Sequence, residues 1–249
     1  MRTLKDGGFA RQVENFRLLI NLATQLGTAY NPVKDNLKLV NMQTLHTEAA
    51  KAVDDWIEAI NTIEKLTSQR TEELKKVNNL VTRISREVKV CGIRGERLTD
   101  INAAIRQVRG RKATSNNKTT DGQNNTTPSQ TTQEKGGGVN HTIERKMDAF
   151  HRLVKILEDM PEYESNDLDL QITGLKAKST EIKTLQNDYG NELINRERQK
   201  AIRNRLTLND LVSIAYVGRL AKDYLRNQYK GSKAELNTLR AIRFKAVEA

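Results

Sequence analysis

Met42-Gln-Thr-Leu-His-Thr-Glu-Ala-Ala-Lys-Ala-Val-Asp-Asp-Trp-Ile-Glu-Ala-Ile-Asn-Thr-Ile-Glu-Lys-Leu66 is the stretch from which the fold class is read. Met42, Leu45, Ala49, Trp56, Ile63 and Leu66 keep near-heptad spacing, and Val53, Ile57 and Ile60 widen the stripe. This is the period of an amphipathic helix and not the alternation of a strand. The seven-residue step returns at Leu175, Ile182 and Tyr189, with Leu193 continuing the seam. Repeated helical seams of this kind bury themselves against other helices.

Composition extends that reading to the whole chain of 249 residues. Apolar residues make up 37%, aromatics only 4% and charged residues 29%, which suits long helices with thin seams better than a deep core. Only three prolines interrupt the chain, and strand-type runs of Val, Ile, Thr and aromatics are scarce. The fold expected is all-α.

Residues 113–140 break the pattern with a tract of Asn, Thr, Ser and Gln that ends in Gly136 to Gly138. It lacks the apolar groups that would offset the entropy of ordering it and reads as a flexible linker. The flanks, 1–112 and 141–249, can be laid over one another. Phe16 falls on Phe150, Tyr30 on Tyr163, Leu37 on Leu170, Leu39 on Ile172 and Met42 on Leu175. Trp56 falls on Tyr189, Ile60 on Leu193, and Leu98 and Ile101 on Leu236 and Leu239. Two divergent copies of one helical-bundle unit are therefore expected, joined by the linker.

Four helices are predicted in each copy. The first covers about 8–26 and 140–160, with Gly27 and Pro161 as stops. The second is long, about 33–75 and 166–205, with Pro32 in its first turn. The third covers about 78–91 and 208–229, capped in the second copy by Thr207-Leu-Asn-Asp. The fourth covers about 96–108 and 232–245.

The Tyr30-Asn-Pro opening, the Leu-x-x-x-Leu-type pairs, an Arg-rich middle and an Asn-capped Leu-Val helix lead to the ending Lys233-Ala-Glu-Leu-Asn-Thr-Leu-Arg-Ala-Ile-Arg-Phe244. Together they resemble a family of two-repeat helical proteins of Bacteroidota. The resemblance is clearest over 163–245 and departs at Cys91-Gly-Ile-Arg-Gly95, where an extra turn appears. It implies the duplicated helical architecture and brings no activity with it.

Catalytic patterns are missing. His46, His141 and His151 have no His or Cys partner at the i,i+4 spacing of helical metal ligands. Gly92-Ile-Arg-Gly95 lacks the Gly-Lys-Ser/Thr of a phosphate loop and reads as a turn, and no Gly-x-Ser-x-Gly elbow occurs. Glu158, Asp159, Glu162, Glu164, Asp167 and Asp169 cluster without a base, and read as helix-end and helix-start acids. Cys91 is alone. No enzyme, cofactor or metal is expected. The opening Met-Arg-Thr-Leu-Lys-Asp-Gly-Gly has no apolar secretion core, and no run approaches the roughly 20 apolar residues of a membrane span. A cytoplasmic location is expected.

The formal charge of +11 gathers near the end of each flank: residues 83–112 carry nine bases against three acids, and 219–245 eight against two. One set is Arg83, Arg86, Arg94, Arg97, Arg106, Arg109, Arg111 and Lys112. A second is Arg196, Arg198, Arg203 and Arg205, and a third Arg219, Arg226, Arg240, Arg243 and Lys245. Arginine holds phosphate bidentately, yet no helix-turn-helix, zinc-finger or stacking-aromatic pattern accompanies these sets. The expectation is a structural or scaffold protein that works by helix packing, as a homo-oligomer, its arginines paired with acidic helix faces. The alternative is a sequence-tolerant nucleic-acid-binding protein that uses Arg83, Arg86, Arg94, Arg97, Arg106, Arg109, Arg111, Arg219, Arg226, Arg240 and Arg243.

Overall fold

The computed structural model describes residues 7–110, 142–209, 211–229 and 232–244. The tract read as a linker, 113–140, lies outside them, as do Arg111, Lys112, His141 and Lys245. Seven α-helices are described: α1 (Gly7–Gln25), α2 (Leu39–Val90), α3 (Gly95–Arg109), α4 (Ile143–Glu158), α5 (Ile172–Asn204), α6 (Ile214–Gln228) and α7 (Lys233–Ala241). Short 3-10 turns at Gly27–Ala29 and Asp35–Leu37 precede α2, and a π-helical turn, Arg205–Asn209, follows α5. There is no strand among the described residues.

Several helix boundaries differ from those predicted, among them the start of α6 at Ile214 instead of about 208 and the end of α7 at Ala241 instead of about 245. The break expected at 75–78 does not occur, and α2 runs unbroken for 52 residues. No Gly or Pro stands within it, and Asn78 and Asn79 are tolerated in its interior. Both long helices also start about six residues late, at Leu39 and Ile172, because the chain first forms turns over 35–37 and 167–171. In the second flank the break is real, but Thr207 is not its cap. Thr207 lies in the π turn with its hydroxyl on the Arg203 carbonyl, at 2.7 Å, and Ser213 caps α6 by accepting from Tyr216 N. Between α2 and α3 the expected turn is present, with Gly92 and Gly95 both at positive φ.

Packing divides the chain into two compact units that cut across the sequence flanks. A terminal unit comprises Met1–Glu64 with Asn191–Ala249, and a central unit comprises Lys65–Gly190. Helices α2 and α5 each contribute one part to one unit and one part to the other.

The central core joins Val77, Val81, Ile84 and Val88 of α2 and Ile101, Ile105 and Val108 of α3 to Phe150, Leu153 and Leu157 of α4 and Leu175 and Ile182 of α5. The terminal core joins Phe16, Leu19 and Ala23 of α1 and Met42 and Ala49 of α2 to Ile214, Val217, Ala221 and Leu225 of α6 and Leu239 of α7. Of the seams read from the sequence, Met42, Ala49, Leu175 and Ile182 lie in these cores, together with the matched pairs Phe16 and Phe150, Tyr30 and Tyr163, and Leu37 and Leu170. Each core therefore buries helices from both sides of the 113–140 tract.

A buried tyrosine closes the entry to each long helix. Tyr30 Oη donates to the Leu37 carbonyl at 2.8 Å, and Tyr163 Oη donates to the Leu170 carbonyl at 3.0 Å. In the terminal unit Tyr30 also meets Tyr224 edge to face, ring centroids 5.2 Å apart.

Candidate functional site

Two arginines are almost fully enclosed. Arg203, 4% exposed, lies over the Trp56 ring at 3.8 Å and over the Phe9 ring at 3.9 Å. Arg70, 2% exposed, lies over the Tyr189 ring at 3.9 Å and pairs with Glu144. A guanidinium is weakly hydrated and planar, so it stacks flat on a ring face more readily than the compact, strongly hydrated ammonium of lysine. The Arg70 hydrogen bond holds the Glu144 carboxyl below its usual range. Glu73, also largely buried, pairs with Lys178 and Lys76. Burial pushes its carboxyl up, but the bonds from the two lysines outweigh that and hold it low.

Two members of the first basic set, Arg83 and Arg97, are neutralised by acids. Arg83 bonds Asp167 and Asp169, and Arg97 bonds Glu162. Lys176 takes Glu158, and Arg109 donates to Thr82 Oγ1 at 3.1 Å. Asp167, Asp169 and Glu162 of the acid cluster are thus partners of two of these arginines in the central unit. Arg86, Arg94 and Arg106 remain exposed. A cleft of about 510 Å³ near Arg83 is lined by Lys76, Asp169, Lys178 and Glu181, charges of both signs.

In the terminal unit the third set converges. Arg219, Lys222 and Arg226 follow one another at i, i+3 and i+7 on α6, so they share a face. The opposite face, with Ile214, Val217, Ala221 and Leu225, is buried. After α7, buried Ile242 anchors the chain, and Lys222 Nζ donates to its carbonyl. Asn15 Nδ2 donates to the Arg243 carbonyl at 2.8 Å. These bonds hold Arg243 and Phe244 beside α6, where the Phe244 ring edge sits so close to Gly218 that a Cβ there would lie 2.5 Å from it.

Two clefts flank this tail. One, of about 370 Å³, is lined by Arg219, Lys222, Asp223, Arg226, Arg243 and Phe244. The other, of about 560 Å³, is lined by Gly8, Arg11, Gln12, Ala241, Arg243 and Phe244. Asp223 is the single acid in either lining, and it sits 3.4 Å from Arg226. Burial, then Arg226 and Arg243, pull the Lys222 ammonium below its ordinary range. Arg240 is not part of this group. It points to Asn237 Oδ1 at 3.5 Å.

Arg11 and Gln12 were not among the candidate residues. Their signal in the sequence is faint, since one arginine and one glutamine in the opening turns of an amphipathic helix look like ordinary surface. Nor was the His151–Ser179 contact anticipated, with Nδ1 and Oγ 2.7 Å apart. Ser179 is buried in α5, neither residue lines the clefts described above, and no carboxylate is bonded to the imidazole, so the pair fastens α4 to α5. Cys91 donates to the Glu164 carbonyl at 3.3 Å. Among the described residues no three His, Cys, Asp or Glu side chains converge as metal ligands, and no helix is long and apolar enough to cross a membrane. No family model, curated protein or solved structure matches the chain.

Proposed function

We propose that this chain is a non-catalytic structural or scaffold protein that acts through helix packing and self-associates, built from two divergent copies of one helical unit. One observation carries the reading: its strongest buried polar chemistry, Arg70 on Tyr189 and Arg203 on Trp56, is committed to fastening helices. Neither guanidinium lines the clefts described above. The duplication is supported by the same geometry, because Tyr30 and Tyr163, Leu37 and Leu170, Trp56 and Tyr189, and Arg70 and Arg203 all stand 133 residues apart. Self-association is supported by large aliphatic side chains left in water, among them Val40, Val90, Ile194 and the neighbours Leu211 and Val212. Light scattering across protein and salt concentration tests it. An oligomer at tens of micromolar is expected, and a strict monomer removes the claim.

A second reading is favoured by the convergence of Arg219, Lys222, Arg226 and Arg243 around one cleft. Such a surface would hold nucleic acid by its backbone, and binding would weaken steeply as salt rises. Titrating duplex and single-stranded probes at low salt tests it, and the absence of any shift dismisses it.

A further inference from the structure

Gln12 presents an unusual combination. It is 3% exposed, yet neither its Nε2 nor its Oε1 has a hydrogen-bond partner among the protein groups. A buried amide with both ends unmade is a standing cost to the fold, and such groups are rare enough to need a reason. Its place supplies one. Gln12 lines the 560 Å³ cleft with Arg11, Arg243 and Phe244, a size within the range of roughly 300–1,000 Å³ for small-ligand sites. Neither arginine has a carboxylate partner among the described residues, and the cleft opens at the first turns of α1, where the helix dipole also favours an anion.

The three kinds of group make different demands on one ligand. A bare anion would satisfy the arginines and the amide N–H but leave Oε1 unpaired. The amide needs a partner with a donor and an acceptor side by side, as on a nucleobase edge. The Phe244 ring, which lines both clefts, offers a surface for a flat heterocycle. We propose that the cleft binds a nucleoside phosphate, its base edge on the Gln12 amide and its phosphate between Arg11 and Arg243. The adjoining basic cleft, with Arg219, Lys222 and Arg226, takes a neighbouring phosphate when the ligand is a strand. This deepens the nucleic-acid reading above and is independent of the scaffold reading.

The test pairs Gln12→Leu with Arg243→Gln in the full chain, read by binding and by melting. Probes are a fluorescein-labelled oligoadenylate, AMP, inorganic phosphate and polyglutamate at low salt. Gln12→Leu removes the unpaired amide at nearly constant shape, so its thermal midpoint is expected to rise while its affinity for the adenylate probe falls roughly tenfold. Arg243→Gln is expected to weaken binding without raising the midpoint. Competition by AMP identifies a free nucleotide as a sufficient ligand, and competition by strands alone identifies nucleic acid. A lowered midpoint in Gln12→Leu, unchanged adenylate affinity in that variant, or polyglutamate displacing the probe as well as AMP would each overturn the proposal. Salt-sensitive strand binding that ignores Gln12→Leu leaves the nucleic-acid reading standing while this site fails. AMP binding lost in Gln12→Leu, with no strand binding at all, does the reverse.

Discussion

Replacing Arg203 by lysine keeps the charge and removes the flat guanidinium that meets Trp56 and Phe9. A desolvated cation–ring contact contributes about 2 kcal/mol and a strongly hydrated ammonium keeps only part of it, so R203K is expected to lower the urea-unfolding free energy by up to about that amount. R70K should do the same at Tyr189, and a loss near zero in both would show that the rings do not hold these cations. The tyrosine pair makes a separate prediction with pH. Burial pushes the Tyr30 phenol up to about 12 and raises Tyr163 as well. An acid raised in the folded state favours folding below its unfolded value of about 10. That contribution is lost as pH rises through the folded value. Urea midpoints are therefore expected to fall between pH about 10 and about 12, and less so in the Y30F/Y163F double variant, which at neutral pH loses about 1–3 kcal/mol per unpaired carbonyl. At this scale the sequence was partly legible. Tyr30, Tyr163, Trp56 and Tyr189 stood out by matched position, but Arg203 read as one more surface base beside Arg198 and Arg205. Only packing encloses it, because the rings it touches come from distant parts of the chain.

Helix α5 contains two glycines whose replacement should act in opposite directions. A Cβ on Gly174 would lie 2.3 Å from the backbone carbonyl oxygen of Leu168, so G174A must displace main chain. A cost of about 1–3 kcal/mol is expected, as for other overpacked sites. A Cβ on Gly190 meets nothing within 4 Å, and G190A should stabilise the helix by up to about 1 kcal/mol. Thermal melts of the two variants compare the signs directly, and equal signs would contradict this packing. Element types were well read from periodicity, and the turn at Gly92–Gly95 from its glycines. Boundaries were read less well. Val77-Asn-Asn-Leu and Leu208-Asn-Asp-Leu look alike, yet the first continues a helix and the second lies at a break. The difference is tertiary: Val77, Val81 and Ile84 bury one stripe in the central core, which holds that stretch helical.

Neither flank, 1–112 or 141–249, contains a complete core. Helix α1 buries its apolar stripe with α6, and α3 with α4, so a stretch from each flank is needed in each compact unit. That arrangement was not visible in the sequence, because apolar stripes state that a helix must be covered and not by which helix. A chain cut at a protease site introduced within 113–140 is therefore expected to elute as one particle under native conditions and to separate only in denaturant. Fragments that part on gel filtration would refute it. One consequence concerns reaction order. In the intact chain the meeting of α1 with α6 and of α3 with α4 is unimolecular, and refolding should proceed at the same rate however dilute the sample. Once severed, the same cores form only on collision, so recovery of the native state becomes second order and fails first at high dilution.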